Sequence, residues 1–314
     1  MKKKKKKQER IIVIGKQEQV GSMVQEMLQK DHNPMVIQQY MNPSAHILLE
    51  AIQSPRERPD ILLIADPRLG RSVEQEIDQA RKAGVKIEYL PNLVERRLRR
   101  IPLDLIDQFR DYYDVVLCQK KPSRIERVFD VGISFFALVF LSPLILGIAL
   151  GILLTSGRPV IFAQKRAGVF GELFTFYKFR SLTTPNSPAE SEDPNCAISS
   201  RSNAFGRWIR KTRIDEIPQF WNVLTGKMAF IGPRPEMVYY HQMCVEQIPF
   251  YQYRFRVKPG ITGWAQVSYK HTTTLDEYKR KTEYDLYSIK NRNARLSALI
   301  LIKTIITMLG MRGK

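Results

Sequence analysis

The stretch Val131–Thr155 reads VGISFFALVFLSPLILGIALGILLT and carries no charged side chain over 25 residues. An apolar helix of about 20 residues is long enough to cross the hydrocarbon core of a bilayer. Its middle, however, holds Ser142-Pro143. Proline withholds a backbone donor and collides with the preceding turn, so the helix bends or breaks there. Both flanks are basic, with Lys120, Lys121, Arg124 and Arg127 before the stretch and Lys165, Arg166, Lys178 and Arg180 after it. Basic flanks favour the cytoplasmic side. The sequence therefore predicts a re-entrant helical hairpin over about 126–155 that enters the membrane, turns at Ser142-Pro143 and returns.

Upstream of the hairpin the pattern changes. Ile11–Ile14, Met35–Ile37, Ile61–Ala65 and Val85–Leu90 are short apolar runs, and helix-like segments such as Val73–Lys82 lie between them. Buried strands alternating with helices predict a parallel α/β sheet. Gly15 follows the first run, but Gly15-Lys16-Gln17-Glu18-Gln19-Val20-Gly21 is not a G-x-G-x-x-G dinucleotide turn. The expected organisation is a basic tail (1–9), a Rossmann-like parallel-sheet domain with an Arg- and Leu-rich linker (10–118), and a membrane-associated α+β catalytic domain carrying the hairpin (119–314).

The formal charge of +19 on 314 residues calls for anionic partners. The uncharged hairpin and the lack of a base-reading motif argue against nucleic acid. Cys118, Cys196 and Cys244 are too far apart for a disulfide framework or a zinc site, and the four histidines are scattered. The run Lys2–Lys7 is a solvated tail or a tether to anionic lipid headgroups. Between Asn203 and Arg213, Phe205, Trp208, Ile209 and Thr212 share one helix face, with Arg207, Arg210 and Lys211 elsewhere. That distribution suits a membrane interface or an ordinary core-facing helix. Ser297–Met311 repeats the apolar theme with one charge, Lys303.

The segment after the hairpin is dense in groups that handle phosphate. Asp215 and Glu216 are adjacent in Arg213-Ile214-Asp215-Glu216-Ile217-Pro218-Gln219. Neighbouring residues on a helix point about 100° apart, so one carboxylate can attack or hold a metal while the other assists. Mg²⁺ takes oxygen ligands and often needs only one or two carboxylates beside substrate phosphates. Arg234 sits between two prolines in Gly232-Pro233-Arg234-Pro235-Glu236, a stiff mount for a guanidinium. Lys178 and Arg180 alternate with aromatics as on a strand, which puts both cations on one face.

In order along the chain, Phe162–Gly168, Tyr177–Ser181, Arg213–Gln219, Asn222, Gly226, Gly232–Glu236, Lys258–Val267 and Tyr284–Tyr287 resemble the bacterial sugar transferases. These are monotopic polyprenyl-phosphate hexose-1-phosphate transferases, and the likeness runs from about Arg124 to Thr307. It is closest to members serving exopolysaccharide assembly. The resemblance implies an enzyme at the cytoplasmic face of the bacterial inner membrane. Asp215 would attack the sugar-bearing phosphate of a UDP-sugar, UMP would leave, and polyprenyl (undecaprenyl) phosphate would take the phosphosugar. Glu216 would assist, Asp215 would also meet Mg²⁺, and Arg234 would hold phosphate. Lys178, Arg180, Arg213, Gln164, Lys258, Thr262 and Lys270 are further candidates for substrate binding, with Ser142 and Pro143 shaping the hairpin. Membrane lipids are expected partners, and a homo-oligomer stays open. Ser268-Tyr269-Lys270 departs from the Asn-Gly-Arg found in many members, which leaves Lys270 as the substitute charge. The competing readings are a glycosyltransferase that releases UDP and a membrane-tethered nucleotide sensor or scaffold.

Overall fold

The apolar runs Ile11–Ile14 and Ile61–Ile64 upstream of the hairpin form strands buried on both faces. The computed structural model describes residues 9–21, 23, 26–27, 35–41, 45–54, 58–118, 124–182, 203–269 and 274–309. The lysine run, Lys120, Lys121, Lys270, Cys196 and most of the segment around Met23–Leu28 lie outside the described residues. Two compact units divide between Phe109 and Arg110.

The first unit is a parallel four-stranded sheet in the order β2-β1-β3-β4. Its elements are β1 (Glu9–Ile14), β2 (Met35–Met41), α1 (Ala45–Gln53), β3 (Ile61–Ile64), α2 (Pro67–Ser72), α3 (Glu74–Lys82), β4 (Lys86–Tyr89), α4 (Leu90–Leu98) and α5 (Leu103–Gln108). In-register pairs such as Val13 with Leu63 and Leu62 with Ile87 tie the central strands. Ile11, Val13 and Ile14 are fully excluded from solvent, as a parallel sheet covered on both faces requires. Asp66 caps α2 by accepting from the N–H of Arg68 at 2.9 Å, and Pro67 fills the first turn, where no N–H is needed. The stretch 93–114, expected as a linker, is helical, because its Leu and Ile recur at helical spacing and are buried.

The second unit begins earlier than the sequence suggested. Helix α6 (Arg110–Cys118) belongs to it because Tyr113 and Leu117 are buried there and Tyr253 Oη donates to Asp114. The hairpin follows as α7 (Arg124–Phe140) and α8 (Ser142–Ser156), bent by 61° at their break. Ser142 Oγ donates to the Val139 carbonyl at 2.7 Å, and Pro143 occupies the first turn of α8. No single described helix is long and apolar enough to cross a membrane; this bent pair meets the length and composition together. Phe129, Phe136, Phe140, Leu146 and Leu154 are all exposed on it, the kind of apolar surface that marks a contact with membrane or protein.

The rest of the unit anchors both arms of the hairpin. Strands β5 (Ile161–Ala167) and β6 (Leu173–Phe179) form an antiparallel pair. They are followed by α9 (Ala204–Lys211), a 3-10 turn at Ile214–Glu216, α10 (Gln219–Leu224) and β7 (Ala229–Ile231). Then come α11 (Val238–Gln247), a 3-10 segment at Tyr251–Arg256, β8 (Gly260–Thr262), α12 (Trp264–Ser268), α13 (Leu275–Lys290) and α14 (Ala294–Leu309). In α7, Arg127 donates to the carbonyls of Val223 and Leu224 at 2.6 and 2.9 Å, and Asp130 accepts from the Phe230 N–H at 3.1 Å. In α8, Ile148 and Ile152 pack with Phe179, Ile209 and Ile217. Gly151 lets α9 approach, since a β-carbon there would fall 2.4 Å from the Phe205 ring. The face expected on α9 divides: Ile209 is buried, while Trp208 remains about half exposed (46%). Strands β7 and β8 pair in parallel, and Gly232 and Gly260 touch so closely that a β-carbon on Gly260 would sit 2.1 Å from the Gly232 nitrogen.

Candidate active site

Asp215 and Glu216 occupy the 3-10 turn, and Arg213, left-handed at φ 56°, reverses the chain just before it. The apolar neighbours Ile214 and Ile217 lodge in the cluster around Ile148 and Phe179, which fixes the turn against α8 and β6. Asn222 on α10 adds a polar clamp, accepting from the Tyr177 N–H at 3.1 Å and donating to the Thr175 carbonyl at 2.7 Å. The acidic pair is therefore held against β6 by both packing and hydrogen bonds.

Lys178 reaches the pair from β6. Its Nζ lies 2.9 Å from Glu216 Oε1 and 3.5 Å from Asp215 Oδ2. Arg234 donates from Nη2 to the same Glu216 oxygen at 2.9 Å. Burial alone would raise the Glu216 carboxyl, but Arg234 and Lys178 outweigh it and hold the group well below the usual carboxylate range. Asp215 moves the other way. Burial pushes its pKa up, and the attraction of Lys178 only partly offsets that. The two acids thus differ in kind: Glu216 is a fixed anion in an ion-pair network, while Asp215 is buried, more basic than usual and, among the described residues, engaged only by the longer Lys178 contact.

A second layer sets Arg234. Arg254 donates to the Arg234 carbonyl at 3.2 Å, to Asp285 at 2.8 Å and to the Tyr251 hydroxyl at 2.6 Å. Glu236, at the end of the Pro-Arg-Pro motif, accepts from Lys281 of α13 and lies 3.7 Å from Arg254. Burial would raise Glu236, yet Lys281 and Arg254 bring it down to about 2. Tyr284–Tyr287 thus contributes Asp285 as the counter-charge beneath the loop that carries Arg234.

The remaining candidates divide. Gln164 accepts from Arg166 on β5 and shares a sheet face with Lys178. Arg180 is on the expected strand edge, but its guanidinium donates to the carbonyls of Ser156, Gly157 and Arg158, where it ties down the end of α8 and does not reach the acidic pair. Arg213 shapes the turn through its backbone and its side chain is exposed. Lys258 sits near Gly226 and Arg127 at the base of α7, and burial lowers its pKa, with Arg127 adding to the effect. Thr262 shares a hydrogen bond of 2.6 Å with Thr304 of α14. Lys270 lies outside the described residues. In the sequence Arg166 counted only as a basic flank of the hairpin and Asp285 only as part of a motif, and Arg254 and Lys281 were missed; the signal for Arg166 was its period-two spacing from Gln164.

Among the described residues no three His, Cys, Asp or Glu side chains gather as a metal cage. The donor set nonetheless suits Mg²⁺. That ion keeps several waters and needs only a carboxylate or two with substrate phosphate. Asp215 offers such a carboxylate beside cations able to hold the phosphate, whereas Glu216 is engaged by Lys178 and Arg234.

The UDP-N-acetylgalactosamine-undecaprenyl-phosphate N-acetylgalactosaminephosphotransferase of Aeromonas hydrophila is 43% identical over 185 residues, covering 59% of this chain and 44% of that protein. The UDP-glucose:undecaprenyl-phosphate glucose-1-phosphate transferase of Escherichia coli (strain K12) is 36% identical, covering 58% of this chain and 39% of its own length. The chain spans about two-fifths of the length of such curated relatives. A shorter relative, an uncharacterized sugar transferase of Bacillus subtilis (strain 168), is 35% identical over 189 residues, and 89% of it is covered. The acidic pair, the Pro-Arg-Pro loop and the bent hairpin all fall within residues 121–311, which match the bacterial sugar transferase family over more than half the chain, and the protein belongs to that family.

Proposed function

We propose that this protein transfers a hexose-1-phosphate from a UDP-sugar to polyprenyl phosphate, undecaprenyl phosphate being the acceptor named for the relatives, and releases UMP. The observation that carries the reading is the split between the two acids: an anionic Glu216 locked by Lys178 and Arg234 beside a buried, more basic Asp215. Such an arrangement suits a carboxylate nucleophile at an anionic centre, because fixed cations offset the repulsion between carboxylate and phosphate.

In this mechanism an Asp215 oxygen attacks the phosphorus that bears the sugar. The bond from that phosphorus to the bridging oxygen breaks, its electrons stay with the oxygen, and UMP departs. A phosphosugar remains on Asp215 as an acyl phosphate. An oxygen of polyprenyl phosphate then attacks the same phosphorus, the carboxylate leaves, and the lipid diphosphate sugar forms. Lys178 and Arg234 carry the negative charge through both steps, and Glu216 orients both cations. Mg²⁺, when bound, would shield the donor phosphates, with Asp215 as its protein ligand.

The membrane role follows from the hairpin. Its exposed phenylalanines and leucines favour burial in lipid, and the 61° bend with both arms docked on one body supports a re-entrant rather than a spanning path. The site would then face the cytoplasmic surface of the inner membrane, where a lipid-borne phosphate meets a soluble nucleotide. Exopolysaccharide, O-antigen or capsule assembly would begin with this transfer. The test is nucleotide release from nanodisc-held protein given Mg²⁺, undecaprenyl phosphate and a panel of UDP-sugars. Lipid-dependent UMP is expected; UDP in its place would make the protein a glycosyltransferase, and neither product across the panel would favour a sensor or scaffold.

A further inference from the structure

Arg166 makes no direct ion pair among the described residues, and Glu236 and Glu216 act on its charge only at a distance. Among the described residues none of its contacts is an ion pair: Nε and Nη2 donate to Gln164 Oε1 at 3.2 and 2.9 Å, and Nη1 donates to the Pro235 carbonyl at 2.7 Å. Its carbon Cζ lies 4.9 Å from the centre of the Phe176 ring. These three bonds leave two of the five guanidinium N–H groups open. The neighbouring acids are committed elsewhere, Glu216 to Lys178 and Arg234, Glu236 to Lys281 and Arg254. Burial lowers the Arg166 pKa to about 10; the charge of Arg234 adds to the drop, and Glu236 and Glu216, which lie near without pairing with it, oppose it. Two cations brought together in a partly buried place repel each other unless an anion lies between them.

The position of Arg166 is ordered with respect to the nucleophile. Across the β5–β6 pair, Phe162 faces Lys178, Gln164 faces Phe176 and Arg166 faces Phe174, so Lys178, Gln164 and Arg166 share one sheet face. Lys178 meets Asp215, Arg234 meets Glu216, and Arg166 meets Pro235, one residue beyond Arg234. Moving away from Asp215, the site therefore presents Lys178 and Arg234 first and Arg166 next. Gln164 Oε1 is occupied by the Arg166 fork, which leaves its amide nitrogen as a further donor.

We propose that Arg166, oriented by Gln164, seats the phosphate that departs with the nucleoside, the α-phosphate of the donor, while Lys178 and Arg234 face the sugar-bearing phosphate. This rests on the donor being a nucleoside diphosphate sugar. When the bond to the bridging oxygen breaks, that oxygen gains the electron pair and the α-phosphate gains a full negative charge. The Arg166 guanidinium, which has no ion-pair partner among the described residues and two N–H groups open, would take up that charge.

The experiment is calorimetric binding of uridine, UMP, UDP and farnesyl phosphate to the full chain in detergent, for wild type, Arg166→Gln and Arg166→Lys. A lost charge-assisted contact costs about ten- to a hundredfold in affinity. Arg166→Gln should weaken UMP and UDP by that factor and leave uridine and farnesyl phosphate unchanged, with Arg166→Lys in between. Unaltered UMP binding overturns the proposal, as does an equal loss of uridine, which would mark Arg166 as a purely structural residue. A loss on UDP alone would shift the contact to the β-phosphate, and a loss on farnesyl phosphate alone would give it to the acceptor; both overturn it. Failure of the wild type to bind any nucleotide would instead remove the donor reading itself.

Discussion

Arg234 Nη2 stands 2.9 Å from Glu216 Oε1, and this pair joins the Pro-Arg-Pro loop to the turn that carries Asp215. The bond makes the loop and the acidic turn one unit although 18 residues separate the partners in the chain. Lysine keeps the charge but not the planar fork, so it cannot hold Glu216 and a phosphate together. Arg234→Lys should lower the initial rate of UMP release by about ten- to a hundredfold. A rate within twofold of wild type would show that a point charge suffices there.

Asp215 and Glu216 should fail differently. With donor labelled in the sugar-bearing phosphate and no lipid present, wild type should retain label on the protein. Asp215→Asn should retain none and stay membrane-bound. Glu216→Gln should still form the adduct, more slowly, because it loses the group that orients Lys178 and Arg234 rather than the attacking oxygen. Label on the Asp215→Asn protein would move the nucleophile elsewhere.

The parts legible in the sequence were those with local signatures. Apolar runs alternating with helical segments gave a parallel sheet, Ser142-Pro143 gave the bend, and the stiffly mounted Arg234 and the adjacent acids marked one phosphate-handling segment. Arg180 shows why the rest was hidden. On the strand pattern it is equivalent to Lys178, yet β6 ends at Phe179, and the guanidinium turns to three carbonyls at the end of α8. The pairings of Arg254 with Asp285 and of Lys281 with Glu236 were out of reach, because a buried ion pair drawn from elements far apart in the chain has no spacing to betray it.

That buried network should dominate the stability of the second unit. Arg254 is buried among Asp285, Glu236 and Tyr251, and its removal strands Asp285 and leaves Glu236 with Lys281 alone. Arg254→Met should cost about 3–5 kcal/mol, the usual penalty for breaking a buried pair. The double variant with Asp285→Asn should lose less than the sum of the two single changes. Thermal melts in detergent measure both, and strict additivity would argue against a shared network.

Glu236 gives the network a pH dependence. Its folded pKa is lowered to about 2 from an unfolded value of 4.5 by Lys281 and Arg254 against burial. A lowered carboxylate pKa stabilises the fold above the unfolded value and loses that contribution as pH falls toward the folded one. The melting temperature of wild type should therefore drop relative to Glu236→Gln between about pH 4.5 and pH 2, with a gap that is largest near neutrality. A gap that stays constant down to pH 3 would mean that Glu236 titrates alike in both states.

Pro143→Ala separates local from tertiary control of the hairpin. The substitution restores a backbone donor and removes the ring that obstructs a continuous helix. Local propensity alone would then straighten α7 and α8 into one helix long enough to span. Packing opposes that change. Arg127 and Asp130 hold α7 to α10 and β7, while Ile148 and Ile152 hold α8 to the cluster around Phe179. Straightening by 61° would detach one arm and break the packing of Ile148 and Ile152 on Phe179, Ile209 and Ile217 or the hydrogen bonds of Arg127 and Asp130, against the gain of a single net hydrogen bond of about 1 kcal/mol. Pro143→Ala should therefore keep both chain ends on the cytoplasmic side, as read by protease access to epitopes placed at each end in sealed vesicles of both orientations. Ends on opposite sides would make the proline, and not the docking of the two arms, the element that turns the chain back.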